Sequence, residues 1–160
     1  FLTEHLDVSK LEHIGLIDVH TGLGAPGVDT LIFIESEDAK LARGVFPDIN
    51  IVDSKNATDD TSKGYDGAGG FLCHGISWFL PSHVKAMCLA QEFGTVPTFA
   101  VFRSLIMENA MFHSAPTRRL PYAEKLRDVF YLHKSVQWKA DIIQRGVRVF
   151  NQLKAFCTSG

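Results

Sequence analysis

The chain alternates short continuous apolar runs with longer stretches whose apolar residues recur at helical spacing. Continuous apolar runs of four to nine residues are typical of buried strands, and a period of three to four residues is typical of amphipathic helices. The pattern predicts strands at residues 14–19, 29–34, 49–52 and 85–93. It predicts helices at residues 1–12, 36–44, 72–80, 97–113, 121–132 and 136–156. Strands mixed with helices, with helices predominating toward the end, indicate an α/β sandwich in a single domain spanning residues 1–160.

Glycine and proline mark the ends of several of these elements. Residues 22–28 are predicted to form a Gly/Pro turn, and Pro81 ends the helix that precedes it. Pro97 suits the first turn of the helix that follows it. Residues 53–69, rich in Asp, Ser, Thr, Lys and Gly, form the longest predicted loop. Loops of this length in compact domains are often functional lids.

Composition and charge restrict the classes of partner that we expect for the chain. The 160 residues suffice for one domain with a core, and the net charge is −2 with no basic stretch longer than Arg118-Arg119. We therefore expect no nucleic-acid partner. No apolar run approaches the ~20 residues of a membrane helix, so we expect no membrane partner either. Three cysteines without a Cys-x-x-Cys motif favour reduced thiols and a cytoplasmic protein. A targeting segment upstream of Phe1 would change that assignment.

The first candidate for chemistry lies where the strand at residues 14–19 ends. Asp18 and His20 are two residues apart and therefore share a face of the strand, and a glycine-rich segment follows at once. One interpretation is a histidine that completes its hydrogen bonds at a strand end. The other is a metal ligand whose ring is oriented by the Asp18 carboxylate.

The second candidate, Glu92, ends the apolar run of the strand at residues 85–93. An acid at the end of a buried strand is costly unless it is paired or functional. Glu92 is therefore either an ion-paired or helix-capping carboxylate, or a general base that takes a proton from water at a metal.

The segment from Gly22 to Gly27 also fits the G-x-G-x-x-G pattern of dinucleotide-binding proteins. That pattern works only when a helix begins there, because the helix N-terminus faces the pyrophosphate. A strand-like run, residues 31–34, follows instead. We expect the glycines to serve a tight backbone turn, and a nucleotide-binding domain would require a helix after Gly27.

Several other residues have two interpretations each. Tyr65, in the long polar loop, is either a surface tyrosine or a side chain that reaches the substrate when the loop closes. Arg103, about two turns into the helix after Glu92, is either an anion contact or part of a solvated face. We expect the remaining large aromatic residues to be in the core: Trp78, Phe130, Tyr131 and Trp138.

Two segments resemble the zinc carboxypeptidase-like superfamily: Asp18-Val19-His20-Thr21-Gly22-Leu23-Gly24 and Gln91-Glu92-Phe93-Gly94-Thr95. The match is to a branch of unknown function with an Asp-x-His-Thr-Gly-Leu-Gly signature, more distantly related to aspartoacylase and succinylglutamate desuccinylase. The resemblance continues through Arg103, Glu108-Asn109 and residues 130–138, and covers nearly the whole chain. It implies a three-layer sandwich with a mixed sheet, equivalent to the C-terminal half of such a domain.

The resemblance also implies a role for each matched residue. His20 would be the third zinc ligand and Glu92 the catalytic base, with Asp18 as a supporting residue. Tyr65 is a loose positional candidate for the family's mobile tyrosine, and Arg103 a candidate substrate contact. The implied reaction is zinc-dependent hydrolysis of an amide bond in a peptide or an N-acyl amino acid.

The chain departs from the family in its metal ligands. The first two zinc ligands of the family lie in a His-x-x-Glu motif upstream, and none of the seven histidines here has Glu three residues later. Only 19 residues precede His20, so the sequence resembles an incomplete, C-terminal portion of the domain. One imidazole does not hold catalytic zinc, which needs about three protein ligands.

Two expectations follow from this departure. The isolated chain should be inactive as a hydrolase, and it should expose sheet edge and apolar surface that an N-terminal segment or an oligomeric partner would cover. The alternative function is that of a catalytically inactive relative that serves as a binding or structural module. Stoichiometric zinc in the purified chain, lost on substitution of His20, would contradict that alternative.

Overall fold

The computed structural model describes residues 2–33, 36–53 and 72–159. The strands are β1 (His13–Pro26), β2 (Asp29–Phe33), β3 (Asn50–Asp53) and β4 (Lys85–Gly94). The helices are α1 (Leu2–His5), α2 (Ser36–Val45), α3 (Leu72–Ser77), α4 (Thr98–Ser114), α5 (Leu120–Phe130) and α6 (Val136–Thr158). Short 3-10 turns lie at Val8–Lys10 and Pro116–Arg118.

The described strands form one mixed four-stranded sheet in the order β1-β4-β2-β3. β1 runs parallel to β4, β4 antiparallel to β2, and β2 parallel to β3. β4 is therefore an interior strand although it comes last in the chain. Its position between β1 and β2 explains why its second half is continuously apolar or buried.

Helices cover both faces of the sheet, as the α/β sandwich prediction requires. One face, which we call the core face, packs against α2 and α6. Its fully buried cluster contains Leu31, Phe33, Ala39, Ala42, Phe46, Met87, Leu89, Val149 and Leu153. On the other face, which we call the site face, Phe130 of α5 lies against Gly22. The predicted α/β class and mixed sheet are confirmed.

The strand β1 extends further than the sequence predicts. Residues 22–26, expected in a turn, remain in β1 because both Gly22 and Pro26 pair with Gly94 across a register shift. The reversal comes at Gly27, whose φ of +70° is readily adopted only by glycine. A Cβ on Gly94 would lie 2.1 Å from the carbonyl oxygen of Ala25, so the two backbones approach as closely as glycine allows.

Other predicted element boundaries also differ from those in the structure. The N-terminal helix expected over residues 1–12 is limited to α1 and a 3-10 turn, and the helix expected over residues 72–80 ends at Ser77. Asp53, expected in the polar loop, completes β3. The rest of that loop, residues 54–71, lies outside the described residues.

The aromatic predictions are correct only in part. Trp138 is buried, as expected, and Phe130 is partly buried. Trp78 is 77% exposed because α3 ends just before it, and Tyr131 is exposed because it follows the last residue of α5. Within the described residues, no helix combines the length and apolar character that crossing a membrane requires.

Candidate functional site

The sheet topology brings together two residues that the sequence separates widely. His20 on β1 is the direct register partner of Glu92 on β4, and the two strands are parallel. Register partners on neighbouring parallel strands point to the same face of the sheet. The two side chains therefore share the site face near the carboxyl ends of both strands, where open α/β sheets bind their ligands.

Asp18 and His20 form a contact, as their spacing predicts. The Nε2 atom of His20 lies 3.0 Å from Oδ2 of Asp18, and both side chains are partly exposed. A carboxylate at this distance orients the imidazole ring. Asp18 therefore has the geometry of a supporting residue to His20.

Glu92 is buried, with only 8% of the residue exposed. The backbone N–H of Leu23 donates a hydrogen bond to Oε1 of Glu92 over 2.9 Å. Burial raises the pKa of the Glu92 carboxyl above its ordinary value, while the Leu23 N–H and the nearby His20 act in the opposite direction. A carboxyl whose pKa is raised toward neutrality is a better proton acceptor and donor near pH 7 than an exposed one.

The glycine-rich end of β1 aims the Leu23 N–H at Glu92. Gly22 has φ of +145° and Gly24 has φ of +107°, a region that other residues rarely adopt. A Cβ on Gly22 would also lie 2.6 Å from the Phe130 ring. Since β2 begins at Asp29 and no helix follows Gly27, the G-x-G-x-x-G pattern does not form a phosphate-binding helix end.

The end of β4 is fixed by hydrogen bonds from three directions. The indole Nε1 of Trp138 and the backbone N–H of Gly27 both donate to the Gly94 carbonyl, over 2.8 and 3.0 Å. Thr95 donates its hydroxyl to the carbonyl of Gly22 over 2.9 Å. These bonds connect β4, the glycine-rich segment and α6 immediately beyond Glu92.

A polar cluster that the sequence does not predict lies on the core face behind the site. Asp29 is completely buried and accepts a hydrogen bond from Nε2 of Gln91 over 2.9 Å. Nη1 of Arg145 pairs with the same carboxylate at 2.9 Å, and Nη2 of Arg148 approaches it to 3.8 Å. The available signal was a pair of arginines three residues apart in the last helix.

The structure does not bring every candidate residue into the site. Arg103 is an exposed residue of α4. Tyr65 lies outside the described residues. Among the predicted site residues, the described structure thus brings together His20, Glu92 and Asp18.

The donor set for a metal is incomplete within the described residues. No group of three or more His, Cys, Asp or Glu side chains there is arranged to hold a metal ion. His20 offers one imidazole, whereas catalytic zinc needs about three protein ligands. A zinc centre that includes His20 would require ligands from beyond the described residues.

The family described as "protein of unknown function (DUF2817)" matches residues 1–145. The chain belongs to this family. The DUF2817 match includes β1, β4 and every residue of the candidate site, but the family has no assigned function. The relationship to zinc carboxypeptidases therefore stays a prediction. Neither the curated proteins nor the solved structures contain a match to the chain.

Proposed function

We propose that this DUF2817 chain is the part of a zinc-dependent amide hydrolase that supplies one metal ligand, His20, and the general base, Glu92. The observation that supports this most is the parallel pairing of His20 with a buried Glu92 on one face of the sheet. Acidic side chains with shifted pKa values, in clefts at strand ends, are typical of catalytic sites.

His20 would hold the metal with the help of Asp18. The Asp18 carboxylate, 3.0 Å from the imidazole, orients the ring. Because Asp18 lies on the same strand, this orientation is set by the extended backbone and not by a flexible loop. When bound, zinc would polarise the amide carbonyl and lower the pKa of a water molecule.

Glu92 would accept the proton of the attacking water and return it to the leaving nitrogen. Its Oε1 is held by the Leu23 N–H, which fixes the carboxyl against the end of β1. Burial raises its pKa, which makes it a stronger proton acceptor than an exposed carboxylate.

The proposed substrate class is a peptide or an N-acyl amino acid, because the resemblance implies amide hydrolysis. Arg103 and Tyr65 stay candidate substrate contacts on the same basis. The remaining zinc ligands would come from sequence upstream of Phe1, which makes a longer version of the protein the right material for the tests.

Metal binding is the first test. Zinc content would be measured after dialysis for residues 1–160 and for a version extended by the sequence encoded upstream. We expect one zinc per chain in the extended version and its loss in His20→Ala, with no loss in the matched variant His113→Ala on exposed α4. An extended version that holds no zinc would contradict the proposal.

Hydrolysis is the second test. The zinc-loaded extended version would be assayed on a panel of short peptides and N-acyl amino acids. We expect Glu92→Gln to lower kcat by about 100-fold or more, the usual contribution of a general base, and Glu12→Gln on the exposed surface to leave it unchanged. Zinc binding with no hydrolysis by the unmodified protein would favour a catalytically inactive binding module.

A further inference from the structure

One peptide group of the glycine-rich segment is hydrogen-bonded at both of its ends. It joins Gly22 to Leu23, so the Gly22 carbonyl and the Leu23 N–H belong to the same planar unit and point in opposite directions. The Thr95 hydroxyl donates to that carbonyl over 2.9 Å. The N–H at the other end donates to Oε1 of Glu92 over 2.9 Å. Thr95 and Glu92 therefore bind the same peptide group from opposite sides.

The backbone alone fixes the orientation of this peptide group only weakly. Its plane turns about ψ of Gly22 and φ of Leu23, and Gly22, with φ of +145°, lacks the Cβ that restricts rotation in other residues. If the plane turned over, the Gly22 carbonyl would face the Glu92 carboxylate, and two acceptor oxygens repel each other. The hydrogen bonds at the two ends of the group therefore decide where the Leu23 N–H points.

Thr95 is a rigid donor for this purpose. It is only 1% exposed, and its branched Cβ restricts the rotation that would carry the hydroxyl away. The peptide group that precedes its Cα is held as well, because the Gly94 carbonyl accepts from Nε1 of Trp138 over 2.8 Å and from the N–H of Gly27 over 3.0 Å. The hydroxyl thus reaches the Gly22 carbonyl from a fixed part of the backbone.

The peptide group is also shielded from water. Gly22 is buried, and a Cβ on it would lie 2.6 Å from the Phe130 ring. In surroundings of low dielectric constant hydrogen bonds are stronger, and a bond to a peptide carbonyl polarises the group and strengthens the bond that its N–H donates. The Thr95 hydroxyl therefore orients the Leu23 N–H and also makes it a better donor to Glu92.

We propose that Thr95 is a positioning residue for Glu92 and acts through the Gly22–Leu23 peptide group. Oε1 of Glu92 is held by this link, so the carboxyl keeps one orientation at the end of β1. The catalytic consequence rests on the proposed function, in which Glu92 takes a proton from water. The link itself needs neither metal nor substrate.

The amide signal of Leu23 in the NMR spectrum of residues 1–160 tests the link directly. A hydrogen bond to a carboxylate is charge-assisted and strong, and a strong bond moves the amide proton downfield. We expect Thr95→Val and Glu92→Gln each to move the Leu23 proton upfield at neutral pH, and Thr95→Ser, which keeps the hydroxyl, to leave it in place. The matched variant Ser104→Ala removes another buried hydroxyl that donates to a carbonyl, over 2.8 Å, and should not move the Leu23 signal.

The zinc-loaded extended version tests the catalytic consequence. We expect Thr95→Val to lower kcat about tenfold, which corresponds to about 1.4 kcal/mol in the activation free energy. KM should stay unchanged, because the hydroxyl bonds to the backbone and not to the substrate. Thr95→Ser should restore kcat, and Ser104→Ala should leave it unchanged.

Two results would overturn the proposal. The first is a Leu23 amide proton that stays in place in Thr95→Val, and the second is a loss of kcat that Thr95→Ser does not restore. If Thr95→Val fails to fold, the Thr95 hydroxyl proton of the unmodified chain is compared with that of Glu92→Gln, and an unmoved hydroxyl proton would equally overturn the proposal. An extended version without hydrolase activity would contradict the proposed function, and the Leu23 amide signal would then decide the link by itself.

Discussion

Two buried carboxylates lie on opposite faces of the β2–β4 pair, and their surroundings differ. Asp29, on the core face, is paired with Arg145 at 2.9 Å and hydrogen-bonded by Gln91. Glu92, on the site face, accepts the Leu23 N–H, and within the described part of the chain no Lys or Arg forms an ion pair with it. Both are nearly inaccessible to water.

The difference separates a structural acid from a candidate catalytic one. A buried charge is tolerated when a cation and hydrogen bonds replace its water, which is the situation of Asp29. Burial without a permanent cation raises the pKa of Glu92 and leaves its carboxyl able to exchange a proton. The two acids should therefore respond to neutralising substitutions with opposite signs.

The largest effect is expected for Asp29→Asn. The substitution leaves the Arg145 guanidinium without its buried anion, and we expect a loss of about 3 kcal/mol in the free energy of unfolding. Arg145 is itself 35% exposed, which places the loss at the lower end of the range for buried pairs. Urea denaturation measures it. The matched variant Asp128→Asn, in an exposed pair with Arg127, should change little, and equal effects of the two would refute the structural role of Asp29.

The second-largest effect is expected for Gly94→Ala, which disturbs the surroundings of Glu92 and not those of Asp29. The new methyl group would collide with the Ala25 carbonyl and push the glycine-rich segment away from Glu92. We expect a loss of about 1–3 kcal/mol in thermal or urea unfolding. Gly44→Ala is the control, because nothing lies within 4 Å of its added Cβ and α2 should gain about 0.5–1 kcal/mol.

A smaller effect is expected for Trp138→Phe. The substitution removes the indole N–H that donates to the Gly94 carbonyl, but that carbonyl keeps the bond from Gly27. We expect the free energy of unfolding to fall by about 1 kcal/mol, the net value of one hydrogen bond. Chemical denaturation would measure it, and no change at all would mean that the bond contributes nothing to holding the end of β4.

The smallest effect, and the one of opposite sign, is expected for Glu92→Gln. Burial raises the pKa of Glu92 in the native state above the ordinary carboxyl value of about 4. As pH rises from about 4 through this raised native pKa, ionisation of Glu92 destabilises the fold. Glutamine does not ionise and can still accept the Leu23 N–H. The variant should match the unmodified chain at acidic pH and become the more stable of the two toward neutrality. Urea unfolding across that pH range would show a constant difference if Glu92 were paired like Asp29.

Much of the fold could be predicted from local sequence patterns. The helices α2, α4, α5 and α6 and the strands β2, β3 and β4 follow from apolar spacing, because each buries one face or one run against the sheet. The extension of β1 could not be predicted, since Gly22–Pro26 has the composition of a turn. Its extended backbone is imposed by pairing with Gly94, a residue distant in the chain.

The candidate site was predictable only where it is local. The contact of Asp18 with His20 follows from the two-residue period of a strand. The pairing of His20 with Glu92 depends on the position of β4 beside β1, which no local pattern specifies. The Asp29–Arg145 pair spans 116 residues and was not predicted for the same reason.

The parallel pairing of β1 with β4 also has a kinetic consequence. Leu23 and Glu92 are 69 residues apart, and β2, β3, α2 and α3 all lie between them in the chain. Non-local parallel pairing must overcome the loop-closure entropy before its contacts form, so topologies of this kind fold slowly. The pairing of His20 with Glu92 should therefore be among the last features to form after synthesis. Until β4 docks, the side of β1 that β4 covers stays open, and the nascent chain is at its most prone to aggregation.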